Sequence, residues 1–180
     1  MSGLATRVQD AFVGLVQNSL KEPTPYPQIN TLLRKGATKA IDKTVGWSVP
    51  FAARNSFKVL EARPGFLKAK MPFKGNRNHI GTMYAGAMFT LAELPGGILS
   101  GMSFQRKFFP ILKELKMEFI KTATTDVTIE ISMTQETLKK IEDTAEQEGK
   151  CDFELEGSLI DANNVLVAKS FGLYQLRQRK

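Results

Sequence analysis

Residues 84–98 make an apolar run with almost no polar stripe: Ala85, Ala87, Met88, Phe89, Leu91, Ala92, Leu94 and Ile98 leave Thr90 and Glu93 as its strongly polar members. Such a run reads as a helix buried on all sides, and a helix of that kind must be wrapped by other elements. The segments C-terminal to it can do the wrapping. Leu115, Met117 and Phe119 alternate with Lys116 and Glu118, and Val127, Ile129, Ile131 and Met133 alternate with Thr128, Glu130 and Ser132, which predicts two long strands. Residues 137–148 are charged with few apolar anchors and read as a surface helix or loop. Phe153, Leu155 and Leu159 alternate with Glu154, Glu156 and Ser158, Asp161-Ala162-Asn163-Asn164 makes a turn, and residues 165–176 return as another strand. Upstream, residues 57–62 and 66–71 suit a hairpin around Arg63-Pro64-Gly65, with Trp47-Ser48-Val49-Pro50-Phe51 as a further short strand. The expected fold class is α+β, an antiparallel sheet around one long central helix.

Before the strands, Leu4, Val8, Phe12, Leu15 and Val16 recur at helical spacing until Pro23, Pro25 and Pro27, so a first helix should end near Leu20. Ile29, Leu32, Leu33, Ala37, Ala40 and Ile41 repeat the pattern and predict a second helix before Gly46. The chain thus divides into an N-terminal helical extension, residues 1–45, and a main domain, residues 46–180. A membrane-surface anchor at the first helix is opposed by Asp10 and Glu22. With 180 residues and 42% hydrophobic content, one domain with a sizeable core is expected. No apolar run approaches the roughly 20 residues that cross a bilayer, and the start lacks the basic-then-apolar order of a secretory signal. A soluble, cytoplasmic protein without integral membrane association is the expectation. One cysteine, Cys151, and one histidine, His79, make neither an internal disulfide nor a metal site, and no cofactor is expected. The net charge of +7 is spread over small groups such as Lys68, Lys70, Lys74 and Arg77. That reads as a solvated surface; the functional alternative is attraction of a phosphate-bearing small molecule such as coenzyme A, ahead of nucleic acid, for which no binding motif accompanies the charge.

Glu93 carries the chemical interest, because a carboxylate in an apolar helix is either solvated or retained for a purpose. A loop with two glycines and two asparagines, residues 74–81, leads into the helix. Strand, loop, central helix and antiparallel strands, with Asn78 opening the loop and Glu93 deep in the helix, resemble the hotdog fold of acyl-CoA thioesterases. Thioesterases of the phenylacetate-pathway type carry an Asn, six residues later a His-Gly-Gly, and an acid further along the helix; here these positions are Asn78, Tyr84-Ala85-Gly86 and Glu93. More closely, Asn-His-x-Gly-Thr-x-Tyr-Ala-Gly-Ala followed by Leu-Ala-Glu resembles an uncharacterised branch related to the hotdog domain attached to acetyltransferases in some bacterial proteins. Tyr84 and Ala85 depart from the His and first Gly of the pattern.

The resemblance implies hydrolysis of acyl-CoA or related acyl thioesters. Glu93 would act as nucleophile or general base, a backbone amide near Gly86 at the helix N-terminus would polarise the carbonyl, and Asn78 would hold water or orient the carboxylate. Tyr84, Ala85 and His79 are the candidate substrate contacts. Gly86 and Glu93 are seven residues apart, roughly 10 Å along a helix, so one carbonyl cannot touch both within one chain. A second subunit must supply its Glu93, which predicts a homodimer open to assembly into tetramers. The rival readings are a non-catalytic acyl-CoA or lipid-binding hotdog protein and, less suited because His79 adjoins Asn78, a hotdog dehydratase or hydratase.

Overall fold

The computed structural model describes residues 27–179; the helix expected to end near Leu20 lies outside them. Helices α1 (Pro27–Ser48) and α2 (Pro50–Arg54) precede a hairpin of β1 (Lys58–Arg63) and β2 (Phe66–Met71). A loop then leads to α3 (Ala85–Ser103), followed by β3 (Phe108–Phe119), β4 (Val127–Ser132), α4 (Gln135–Glu148), β5 (Lys150–Asp161) and β6 (Leu166–Gln178). The strands form one six-stranded antiparallel sheet in the order β1-β2-β4-β5-β6-β3. Helix α3 touches every one of these strands. This is the α+β hotdog architecture expected of the chain, a sheet wrapped on a central helix.

The alternation read in the strands is what closes the core. Leu67, Ala69 and Met71 of β2, Val127, Ile129 and Ile131 of β4, and Leu155 and Leu159 of β5 are buried in one cluster with Ala87, Met88, Leu91 and Leu99 of α3. The intervening residues, Lys68, Lys70, Glu130, Glu154 and Glu156, stay at least partly in water. At the hairpin Gly65 adopts φ +76°, and a Cβ there would lie 2.6 Å from the Met133 carbonyl oxygen, so only glycine serves. Thr134 caps α4 by accepting the Thr137 N–H at 3.1 Å, and Gly149 ends it in the left-handed conformation.

Two local expectations are corrected, and α3 runs on past a proline. Trp47-Ser48-Val49-Pro50-Phe51 is not a strand: α1 runs through Gly46 to Ser48 and α2 starts at Pro50. Proline at a helix start loses nothing, since its missing N–H would have no intrahelical partner there, and Val49 before it leaves the helical conformation (φ −128°, ψ 81°). Pro95 lies inside α3, which continues to Ser103. Proline costs the helix one hydrogen bond, to the Leu91 carbonyl, but Leu94, Pro95, Ile98, Leu99 and Met102 are all buried and hold the later turns in place. Finally, the described residues do not cover α3 all round. The sheet lies on one side of it, and Ala85, Phe89, Glu93 and Gly97, at spacings of four, form an exposed stripe on the other.

The sheet's two edges differ. The β1 edge is covered by α1, whose Asp42 carboxylate accepts the Val59 N–H at 2.7 Å; burial pushes that carboxyl above its usual value. Among the described residues strand β3, twelve residues long, pairs only with β6, and its other edge is open beside the bare stripe of α3.

Candidate active site

The loop between β2 and α3 is rigidly held. Asp126 accepts the Phe73 N–H at 2.9 Å and pairs with Lys70 at 2.8 Å, which fixes the start of the loop. Asn76, 4% exposed, donates to the carbonyls of Asn55 and Pro72 at 2.9 and 2.8 Å, while its own carbonyl accepts the Tyr84 N–H. The Met83 N–H reaches the Ala123 carbonyl at 2.8 Å. The point where α3 begins is therefore tied to two distant segments, one at Asn55 and one at residues 123–126. Asn76 sits among the residues of the glycine-rich loop, but nothing in the sequence distinguishes it from Asn78, since its partners come from elsewhere in the chain.

Asn78 spends its side chain inside the loop. Its Oδ1 accepts the N–H groups of Ile80 and Thr82, each at 3.1 Å, and its Nδ2 donates to Thr82 Oγ1 at 2.9 Å. This is the turn-forming habit of asparagine, which mimics a backbone turn. His79 is exposed and lines an open groove of about 450 Å³ with Gly75, Arg77, Asn78 and Gly81.

Tyr84 is the N-cap residue of α3, with extended backbone (φ −65°, ψ 133°) and no side-chain cap. The N–H groups of Ala87 and Met88 turn back to its carbonyl, whereas those of Ala85 and Gly86 meet no acceptor among the described residues. An uncapped helix start with free amides is suited to receive a partial negative charge. The Tyr84 ring, 56% exposed, folds over Gly86, and a Cβ built on Gly86 would overlap it. The space left by the missing side chain is thus occupied by Tyr84.

Glu93 lies two turns further along on the bare stripe. No side chain among the described residues pairs with its carboxylate. It reaches the surface of the single chain, yet protein packed beside it keeps the carboxyl partly desolvated and raises its pKa above the ordinary glutamate value. Under it lies Tyr174 of β6, whose hydroxyl donates to the Glu93 backbone carbonyl at 3.2 Å. The Tyr174 ring is 3% exposed, and it fits against the helix because a Cβ at Gly96 would overlap its hydroxyl. Within one chain, then, Asn78, Tyr84, Ala85 and Gly86 gather at the head of α3, and Glu93 stands apart on the same helix. Among the described residues no group of three or more His, Cys, Asp or Glu side chains could hold a metal ion, and no helix is long and apolar enough to cross a membrane.

Residues 37–170 match the model of the DUF4442 family, a domain of unknown function. Among solved structures, a protein of unknown function from Pseudomonas aeruginosa, called "Probable Thioesterase", is 39% identical over 79% of this chain and 96% of that one, with a TM-score of 0.76. A protein of unknown function from Chlorobaculum tepidum is 15% identical, covers 81% of this chain and 97% of that one, and has a TM-score of 0.72. A thioesterase from Haemophilus influenzae is 10% identical over 78% of this chain and 90% of that one, with a TM-score of 0.63. The last two likenesses are of fold. No protein with a curated description matches the chain.

Proposed function

Because this chain belongs to the DUF4442 family and carries the hotdog fold, we propose that it is a thioesterase acting on acyl-CoA or a related acyl thioester. The observation that supports this reading most is the Glu93 carboxylate: partly desolvated, without a partner among the described residues, and borne on the stripe of α3 that those residues leave uncovered. An acid left in that state costs the fold energy and has no structural return in the single chain. The Pseudomonas relative at 39% identity, called a probable thioesterase, points the same way.

The thioester carbonyl accepts hydrogen bonds from the Ala85 and Gly86 amides at the head of α3, where the helix dipole stabilises the oxygen as it gains charge. Glu93 attacks the carbonyl carbon, expelling the thiolate and forming a mixed anhydride that water then hydrolyses, or it removes a proton from the attacking water and the thiolate leaves as the tetrahedral intermediate collapses; in either case the proton released from water ends on the thiol. Since Gly86 and Glu93 of one chain are roughly 10 Å apart along the axis, each site takes its carboxylate from a partner subunit. Two features favour a homodimer: the open edge of β3, which can accept another strand, and the apolar side chains around it. Phe89 and Phe119 are 39% and 48% exposed with ring centroids 6.0 Å apart, and Ile120 beside them is also exposed. Asn78 holds the loop in shape, Tyr84 moves aside or lies against bound substrate, and Ala85 and His79 line its approach.

The test is release of free thiol from acyl-CoAs of several lengths by wild type and Glu93→Ala. Release that depends on Glu93 supports the reading; release that survives the substitution removes Glu93 from the mechanism. The rival, a non-catalytic acyl-CoA binder, draws on the Tyr84 ring lying over Gly86, and it predicts binding with no thiol released.

A further inference from the structure

Helix α1 has two unlike sides. Ile41 and Val45 are buried in the core, and Asp42 beside them accepts the Val59 N–H. Lys39, Lys43 and Trp47, at spacings of four, form the stripe on the opposite side, and all three are exposed. The apolar end of that stripe runs on past the helix: Trp47 is 57% exposed, Phe51 48%, and Val49 between them is also in water. The corner between the two helices is firmly built. A Cβ on Gly46 would lie 3.3 Å from that of Ala53, Ala52 is buried, and the Val49 N–H is donated to the Val45 carbonyl at 2.7 Å. Packed backbone therefore holds these large apolar side chains away from the core.

Charge gathers at the same corner. Residues 27–60 carry six Lys or Arg and a single acid, Asp42, which is turned to β1. Lys39, Lys43 and Arg54 are exposed and have no acidic partner among the described residues, and the Arg54 guanidinium lies 5.9 Å from the centre of the Phe51 ring. On the strands, by contrast, Lys68, Lys70, Lys113 and Lys116 each pair with a carboxylate. Aromatic side chains ringed by unpaired cations match a surface that offers phosphate outside and hydrocarbon beneath. Nucleic acid would answer the cations and leave Val49 in water. The strand order also sets this face, beside β1, at the opposite edge of the sheet from β3, so a dimer joined through β3 leaves it free in both copies.

We propose that the corner of α1 and α2 is a peripheral docking face for an anionic lipid bilayer, with Trp47, Val49 and Phe51 entering the headgroup layer and Lys39, Lys43 and Arg54 meeting lipid phosphates. The proposal does not depend on the thioesterase reading.

Trp47 is the chain's one tryptophan, so its fluorescence reports on this face alone. The full chain is mixed with vesicles of phosphatidylcholine, with or without phosphatidylserine, and followed by Trp47 emission, by quenching from lipids brominated on their acyl chains, and by co-sedimentation. Vesicles containing phosphatidylserine are expected to shift the emission to shorter wavelength, expose Trp47 to the brominated lipids and sediment the protein; neutral vesicles bind less, and raised salt releases it. Lys39→Glu combined with Lys43→Glu should weaken binding about tenfold or more, and Phe51→Ser about tenfold. Both keep the wild-type thermal midpoint, because the replaced side chains stand in water. Lys140→Glu combined with Lys150→Glu makes an equal change of charge on α4 and β5 and should leave binding within about twofold. Absence of binding to anionic vesicles overturns the proposal, as does binding undiminished in the corner variants or weakened equally by the α4 and β5 pair. Trp47 emission already at short wavelength and shielded from iodide without vesicles overturns it too, since protein then covers the face.

Discussion

Glu93 has a pKa raised above the usual 4.5 by desolvation. The folded state therefore holds this proton more tightly than the unfolded chain, and the stability so gained is present below the ordinary glutamate value and lost as pH rises through the raised one. The reactive carboxylate accumulates over that same rise. Thiol release should increase with pH with a midpoint above 4.5, and Glu93→Gln should lower it by roughly 10²–10⁴-fold while leaving the thermal midpoint at neutral pH unchanged or higher. Asn76 presents the opposite case, a polar side chain serving structure alone. Asn76→Ala strips donors from the Asn55 and Pro72 carbonyls and should destabilise the protein by about 1–3 kcal/mol in urea unfolding. Glu93 was legible in the sequence because a lone acid in an apolar helix is anomalous wherever the helix packs. Asn76 and Tyr174 were not, since the carbonyl that Tyr174 holds is 81 residues away.

At the scale of the element, periodicity located the hairpin, α3 and the later strands, and it failed where packing outweighed local signals. Trp47-Ser48-Val49-Pro50-Phe51 has the composition of a strand, but the chain continues as helix on either side of Val49. Pro95-Gly96-Gly97 has the composition of a helix end, but burial carries α3 past it. Gly96 in particular is not a breaker but a recess. Gly96→Ala should raise helix propensity and yet destabilise the protein by about 1–3 kcal/mol, because the added methyl meets Tyr174; thermal unfolding measures this. The stripe of α3 and the open edge of β3 form one surface with Phe89 and Phe119 across it. Phe89→Asp should shift sedimentation toward monomer and reduce thiol release in proportion, with the circular dichroism of the fold retained.

For the whole molecule, the proposed site is complete only when two chains meet, which makes a mixing experiment decisive. Glu93→Gln and Gly86→Val, each inactive alone, should recover about a quarter of wild-type activity when unfolded together and refolded at equal amounts, since half the dimers are mixed and each mixed dimer has one intact site. No recovery, with both variants folded and dimeric, would place both residues' work within one chain. The hydrophobic alternation of the strands and the apolar run of α3 are local patterns, and they determined the architecture because burying them together leaves few other arrangements. The same patterns marked Glu93 and the head of α3 as the place to look. Which side of α3 stays bare, that Asn78 turns inward on its own loop, that Tyr84 covers Gly86 and that Tyr174 lies beneath Glu93 were decided by tertiary structure alone. The first and last depend on where segments far apart in the chain come to rest, of which residue spacing carries no record, while Asn78 and Tyr84 fold onto neighbours two to four residues away, in conformations that the sequence leaves open.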